Sequence, residues 1–235
     1  MRRLLFAGLL AVSSPIAADG PRVPVVVELF SSEGCSSCPP ADVLLARLDR
    51  DQPIAGVDVI ALEMHVDYWN SLGWTDPFSQ AAFSARQRTH AYALGTRSVY
   101  TPQMVVDGRD ELVGSSAMGA RLAIERAGRA PHVPVKLSRA GDEIAIEIAA
   151  APASEGVCHA MIATTERGLS TRVTSGENAG ATLAHGPVVR TLRWVADLGP
   201  RGLVTRVREP ARSGRRVVVF VESRDMLHVL GAATL

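Results

Sequence analysis

The run PVVVELF (24–30) is short and almost unbroken in apolar residues, the pattern of a strand buried on both faces. Pro39 and Pro40 then sit where a first helical turn loses no hydrogen bond to proline, and Val43, Leu44 and Leu48 give that helix an apolar side. GVDVIALEM (56–64) predicts a second buried strand, and the helical connection makes it parallel to the first through a right-handed crossover. TDPFSQAAFSARQRTHAYALG predicts a helix capped by Thr75 or Asp76 and ended by Gly95, with Phe78, Ala82 and Ala85 on one side. QMVVDGRDELV alternates around Asp107-Gly108, so 104–106 and 111–113 should pair as a hairpin. Ser115 or Ser116 caps a last amphipathic helix running toward Arg129.

Beyond Pro131 the texture changes. VPVKL, EIAIEIA, CHAMIAT, VVRTLRW, RRVVVFV and LHVLGAAT are short β-rich runs between Gly, Pro, Ser and Asn, the texture of a small β-sandwich. The expected organisation is an α/β domain over 19–130, a stiff APHVP linker (130–134), and an all-β, sandwich-like domain over 131–235. The polar loop 166–187, with Glu177, Asn178 and His185, either contacts substrate or the first domain or crosses with no ligand.

The chain begins with Arg2 and Arg3, an apolar run over 4–12 and small residues to Ala18, the order of a secretory signal peptide over 1–18. Its apolar core is too short for a spanning helix, so a periplasmic or secreted protein without stable membrane insertion is expected. A hydrophobic fraction of 47% is ample for a core, and a net charge of +1 argues against nucleic acid as the main partner. Three cysteines are too few for a disulfide scaffold; they suggest one pair, Cys35 and Cys38, plus Cys158 as a buried free thiol.

FSSEGCSSCPPADVLL carries the chemistry. Cys35 lies just before the expected first helix and Cys38 at its start, where the helix dipole favours a thiolate, so Cys35 reads as nucleophile and Cys38 as resolving thiol. Three readings remain open: dithiol exchange, metal carriage and a structural disulfide. His65, Asp67, Tyr68, Trp69 and Trp74 leave the second strand at the same end of the sheet as the cysteines. His65 would thus tune the thiols, complete a soft copper site with Cys35 and Cys38, or be a hydrogen-bonded loop residue.

The strand and helix order, with Cys-x-x-Cys after the first strand and Thr101-Pro102 before the third, resembles the thioredoxin fold. The strings FSSEGCSSCPPAD, HVDYWNSLGWTDPFS, YTPQMVVDG, GENAG and VVRTL are similar to a secreted bacterial thioredoxin-like family catalogued as a domain of unknown function, DUF1223. The resemblance implies a thioredoxin-like N-terminal domain, a cis-Pro102 facing the sulfurs with Thr101 tuning the approach, and thiol–disulfide exchange with exported proteins and a separate redox partner. Thioredoxins place a buried carboxylate six residues before the first cysteine, where this chain has Leu29. Glu28 is either a substitute proton acceptor for Cys38 or part of an unrelated salt bridge.

Overall fold

The computed structural model describes residues 21–96 and 98–235; the leader expected over 1–18 lies outside the described residues. The first seven regular elements are β1 (Val23–Ser31), α1 (Pro39–Asp51), β2 (Val57–His65), α2 (Ala81–Ala93), β3 (Gln103–Val106), β4 (Asp110–Val113) and α3 (Ala117–Ala127). Nine strands follow: β5 (Val135–Ala140), β6 (Glu143–Ile148), β7 (Cys158–Glu166), β8 (Ser170–Arg172), β9 (Thr182–Ala184), β10 (Val188–Asp197), β11 (Leu203–Arg208), β12 (Arg215–Ser223) and β13 (Val229–Thr234).

β1 and β2 pair in parallel over their whole length, and β3 lies antiparallel on the other side of β1. Asp107 and Gly108 turn β3 into β4 with positive φ at both residues, the requirement that makes Asp-Gly the turn of choice.

The expectation of an α/β thioredoxin-like domain followed by a self-contained sandwich is overturned. Strands make up 40% of the described residues and helices 20%, and one mixed sheet of eight strands, β13-β12-β7-β10-β2-β1-β3-β4, runs through both halves of the chain. The join is β10, which lies parallel to β2 at Val188 and Glu63, with the Glu63 N–H donating to the Pro187 carbonyl. The physical reason lies in β2, whose residues are nearly all buried. An edge strand would leave its backbone groups unpaired, and β10 supplies a partner at the Glu63 end of β2.

Strand alternation sorts the core. Val25, Val27, Leu29, Val59 and Ala61 face α1 and α3, while Val26, Phe30, Ile60, Leu62 and Met64 face α2 and the inward residues of β10, β12 and β13. A second sheet, β11-β6-β5, packs Ile144, Ile146 and Ile148 against Val217, Val219 and Val221 of β12. Each such fully buried side chain contributes about 1.5–3 kcal/mol. The segment expected as a linker is part of this packing: Val133 is buried and donates its N–H to the Leu230 carbonyl.

α2 starts later than Thr75 or Asp76, and it buries Phe83, Ser84, Gln87, His90 and Ala91 in place of the expected Phe78, Ala82 and Ala85 side. Asp76 does not cap it because its carboxylate is taken by the N–H groups of Glu33 and Phe78 and by His65.

Candidate functional site

β1 ends at Ser31, and the SSEG loop carries the chain into a Cys35–Cys38 disulfide with a Cα separation of 5.4 Å. Cys38 is the N-cap of α1, with Pro39 as first helical residue. Pro39 and Pro40 bring no N–H to the first turn, so a thiolate here depends on the helix dipole and on nearby hydroxyls rather than on those two amides. Cys35 Sγ lies 3.3 Å from Ser37 Oγ, which reaches the Thr101 carbonyl at 3.5 Å. The Thr101–Pro102 peptide is cis, and the Trp69 indole N–H donates to Thr101 Oγ1 at 2.8 Å. Leu29, Ala41 and Pro102 converge on Gly114, where a Cβ would come within 2.6 Å of the Leu29 side chain and 3.1 Å of the other two. Pro102 therefore packs beside the start of α1.

Both sulfur-bearing residues are fully buried, while Ser36 and Ser37 between them are exposed. The cover comes from the segment between β8 and β9. Glu177 accepts from the Ser36 N–H at 3.0 Å, and the Asn178 amide donates to the carbonyls of Glu33 at 2.8 Å and Cys35 at 3.0 Å. Ser175 donates to the Gly73 carbonyl. Of the alternatives for the polar loop, contact with the cysteine region is what the structure displays.

Beneath the disulfide, on the same face of β1 and β2 as α1, sits a buried ionic cluster. His65 places Nδ1 2.6 Å from Asp76 Oδ2 and Nε2 3.0 Å from Glu63 Oε1. His185 places Nδ1 3.1 Å from the same Glu63 oxygen and Nε2 2.9 Å from Glu33 Oε1. Burial alone would discharge both imidazoles; the carboxylates outweigh it and raise His65 to about 10 and His185 to about 9. Burial pushes Glu63 up, but the hydrogen bonds from His185 and His65 prevail and hold it at about 2. Asp42, one turn into α1, accepts from Ser31 Oγ at 2.5 Å. Burial and the Glu63 charge raise its carboxyl to about 8, so it keeps its proton at neutral pH.

Glu28 is elsewhere. It points to the α2 face, where Arg86 donates to it at 2.6 and 2.9 Å and His90 lies 2.8 Å away. Arg86 also spans to Glu222 of β12 at 2.6 and 3.1 Å, and Glu222 meets His159 of β7. The salt-bridge alternative describes Glu28; the carboxyls on the disulfide's side of the sheet are Asp42 and those of the ionic cluster.

Of the sequence-derived set, Cys35, Cys38, Thr101 and Pro102 come together, and Trp69 joins them through Thr101. His65 has both ring nitrogens held by carboxylates and shares its surroundings with Glu63 and His185 rather than with the sulfurs of the copper reading. Tyr68 donates to Gln87, Trp74 to Glu33, and Asp67 accepts from Ser84. Cys158 is a buried free thiol, its pKa pushed up by burial and then by the charge of Glu155. Glu33, Asp42, Glu63 and Asp76 were missed as site residues. Glu63 carried a legible signal: a carboxylate two residues from His65 on one face of an otherwise apolar strand needs a buried partner.

The family model described as "Protein of unknown function (DUF1223)" matches residues 26–222. A crystal structure of a protein from Agrobacterium tumefaciens is similar at 31% identity over 91% of this chain and 94% of that one, with a TM-score of 0.72. The chicken interferon gamma receptor alpha chain aligns over 56% of this chain and 55% of that one at 15% identity, and its TM-score of 0.25 carries no weight. No curated protein matches the sequence.

Proposed function

The chain belongs to the DUF1223 family, and from that premise we propose that it is an exported thiol–disulfide exchange protein whose Cys35–Cys38 pair acts on thiols or disulfides of other exported proteins. The observation that supports this best is the placement of the pair. It closes only two residues at the start of α1, where it restrains the unfolded chain little, and the Thr101–Pro102 loop lies alongside it.

In the oxidising direction, a partner thiolate attacks Cys35 Sγ; the Cys35–Cys38 bond breaks, Cys38 leaves as thiolate, and a mixed disulfide with the partner forms. A second partner thiolate attacks that mixed disulfide and releases Cys35, leaving the partner oxidised and the pair reduced by two electrons. A separate disulfide-bearing redox protein restores the pair. Asp42, one helical turn from Cys38 with its carboxyl pKa raised to about 8, is our candidate to supply a proton to the departing thiolate. Access to Cys35 requires the Glu177–Asn178 cover to lift, which opens the buried Cys35 beside the exposed Ser36 and Ser37 to an extended partner segment.

The test is the reduction potential of the metal-free mature protein, equilibrated against glutathione buffers with thiols counted by mass spectrometry. A value between about −270 and −120 mV supports exchange. A value below about −300 mV leaves a structural disulfide and overturns the reading.

A further inference from the structure

We infer that Glu63, His65 and His185 form a binding site for one divalent transition-metal ion of the zinc class. One ligand atom from each of the three residues lies within 4.8 Å of the other two, and Glu63 Oε1 stands 3.0 Å from His65 Nε2 and 3.1 Å from His185 Nδ1. Zinc bonds of about 2.0–2.1 Å in a tetrahedron put neighbouring donor atoms about 3.3 Å apart, so these two edges need only slight adjustment. The ion takes the place of the ring protons that point at Glu63.

The surroundings of the three donors carry the inference further than their proximity does. A histidine that binds metal through one nitrogen usually gives its other N–H to a carboxylate or carbonyl, which fixes the ring and its tautomer. Both histidines do this: His65 through Nδ1 to Asp76, and His185 through Nε2 to Glu33. The outer carboxylates are themselves held, Asp76 by the N–H groups of Glu33 and Phe78, and Glu33 by the Trp74 indole N–H. Glu63 Oε2 accepts from the Gly186 N–H, leaving Oε1 for the ion. The Phe78 ring stands 5.4 and 5.2 Å from the two imidazoles, giving the site an apolar wall.

Two histidines and one glutamate match the preferences of zinc, and three protein ligands leave a fourth position for water. The side chains of all three are fully buried. A surface cavity of about 490 Å³ lies next to the site, its lining including His185, Gly186 and Pro187, and an ion must displace part of that wall to reach the buried donors. Neither cysteine sulfur belongs to the donor set, so the site is separate from the disulfide and stands or falls without it.

The experiment uses the mature full chain with its disulfide intact, stripped with a chelator and titrated with Zn(II) against a competing indicator, and with Co(II) as a spectroscopic probe. One ion per chain is expected, and the Co(II) form should show visible d–d bands without the near-ultraviolet charge-transfer band of thiolate ligation. His185→Ala should weaken Zn(II) binding by roughly 100-fold or more, and Asp76→Asn, which removes only the outer partner of His65, by about 10–100-fold. Cys35→Ser/Cys38→Ser should leave it unchanged, and circular dichroism verifies that each variant is folded. Should His185→Ala not fold, His185→Gln and Asp76→Asn carry the comparison. Absence of stoichiometric binding, full affinity in folded His185 and Asp76 variants, or loss of binding with the cysteines would overturn the site.

Discussion

Replacing Arg86 by Met removes the cation at the centre of the network that ties β1, α2 and β12 together. In the native protein the guanidinium makes four contacts of 2.6–3.1 Å with Glu28 and Glu222, whose side chains are 2% and 1% exposed. Met fills much of the volume but leaves two buried carboxylates with only His90 and His159 beside them. Breaking a buried pair in this way costs about 3–5 kcal/mol, and the surviving histidines argue for the lower end, about 3 kcal/mol. At roughly 2–4 °C per kcal/mol for a chain of this size, the melting temperature should fall by about 6–12 °C.

The pH dependence supplies a second check. Burial would raise both carboxyls, but the Arg86 charge outweighs it and holds Glu28 and Glu222 below the usual carboxylate range. A folded-state pKa lowered in this way contributes stability that is fully present above the unfolded value of about 4.3 and is lost as pH falls toward the folded value. The Arg86→Met deficit should therefore be largest near pH 7 and shrink below about pH 4. Urea unfolding at both pH values measures it. A variant within about 1 kcal/mol of wild type at pH 7, or a deficit that grows on acidification, would refute the account.

Asn178→Ala removes two hydrogen bonds from the cover over the cysteines, worth about 2 kcal/mol together, so dithiothreitol should reduce the disulfide about 5–30-fold faster; an unchanged rate in stopped-flow thiol counting would remove the cover from the mechanism. Gly108→Ala places a methyl 1.9 Å from the Leu227 carbonyl oxygen at a positive φ, and chemical denaturation should report a loss of about 2–4 kcal/mol. Cys158, buried and with its thiol pKa raised, should react with Ellman's reagent only after denaturant is added, while immediate reaction of the native protein would contradict its placement.

Local structure was legible where short-range chemistry decides it. The β1, β2 and β3–β4 segments follow from apolar runs and Asp-Gly, and the start of α1 from its paired prolines. What could not be read was the long-range pairing: nothing in VVRTLRW says that Val188 will lie beside Glu63 rather than in a separate sandwich. The α2 register went astray for a related reason, since Ser84, Gln87 and His90 are polar by composition yet buried through partners on β1, β3 and the loop after β2. For the candidate site, Cys35, Cys38, Thr101 and Pro102 were visible as motifs. The ionic cluster was not, because its members are scattered from Glu33 to His185.

That scatter has a consequence for the order in which a newly made chain matures. Cys35 and Cys38 leave the ribosome roughly 150 residues before His185, which at about 5–20 residues per second is roughly 7–30 s. Until the later segment arrives, Glu63 has His65 but lacks His185, the Glu63 end of β2 has no neighbour in β10, and Asn178 is absent from the Cys35 carbonyl. The thiols thus become sheltered only when the segment carrying Glu177 and Asn178 docks. The cover over the cysteines is therefore among the last parts of the site to assemble, because it is carried between β8 and β9.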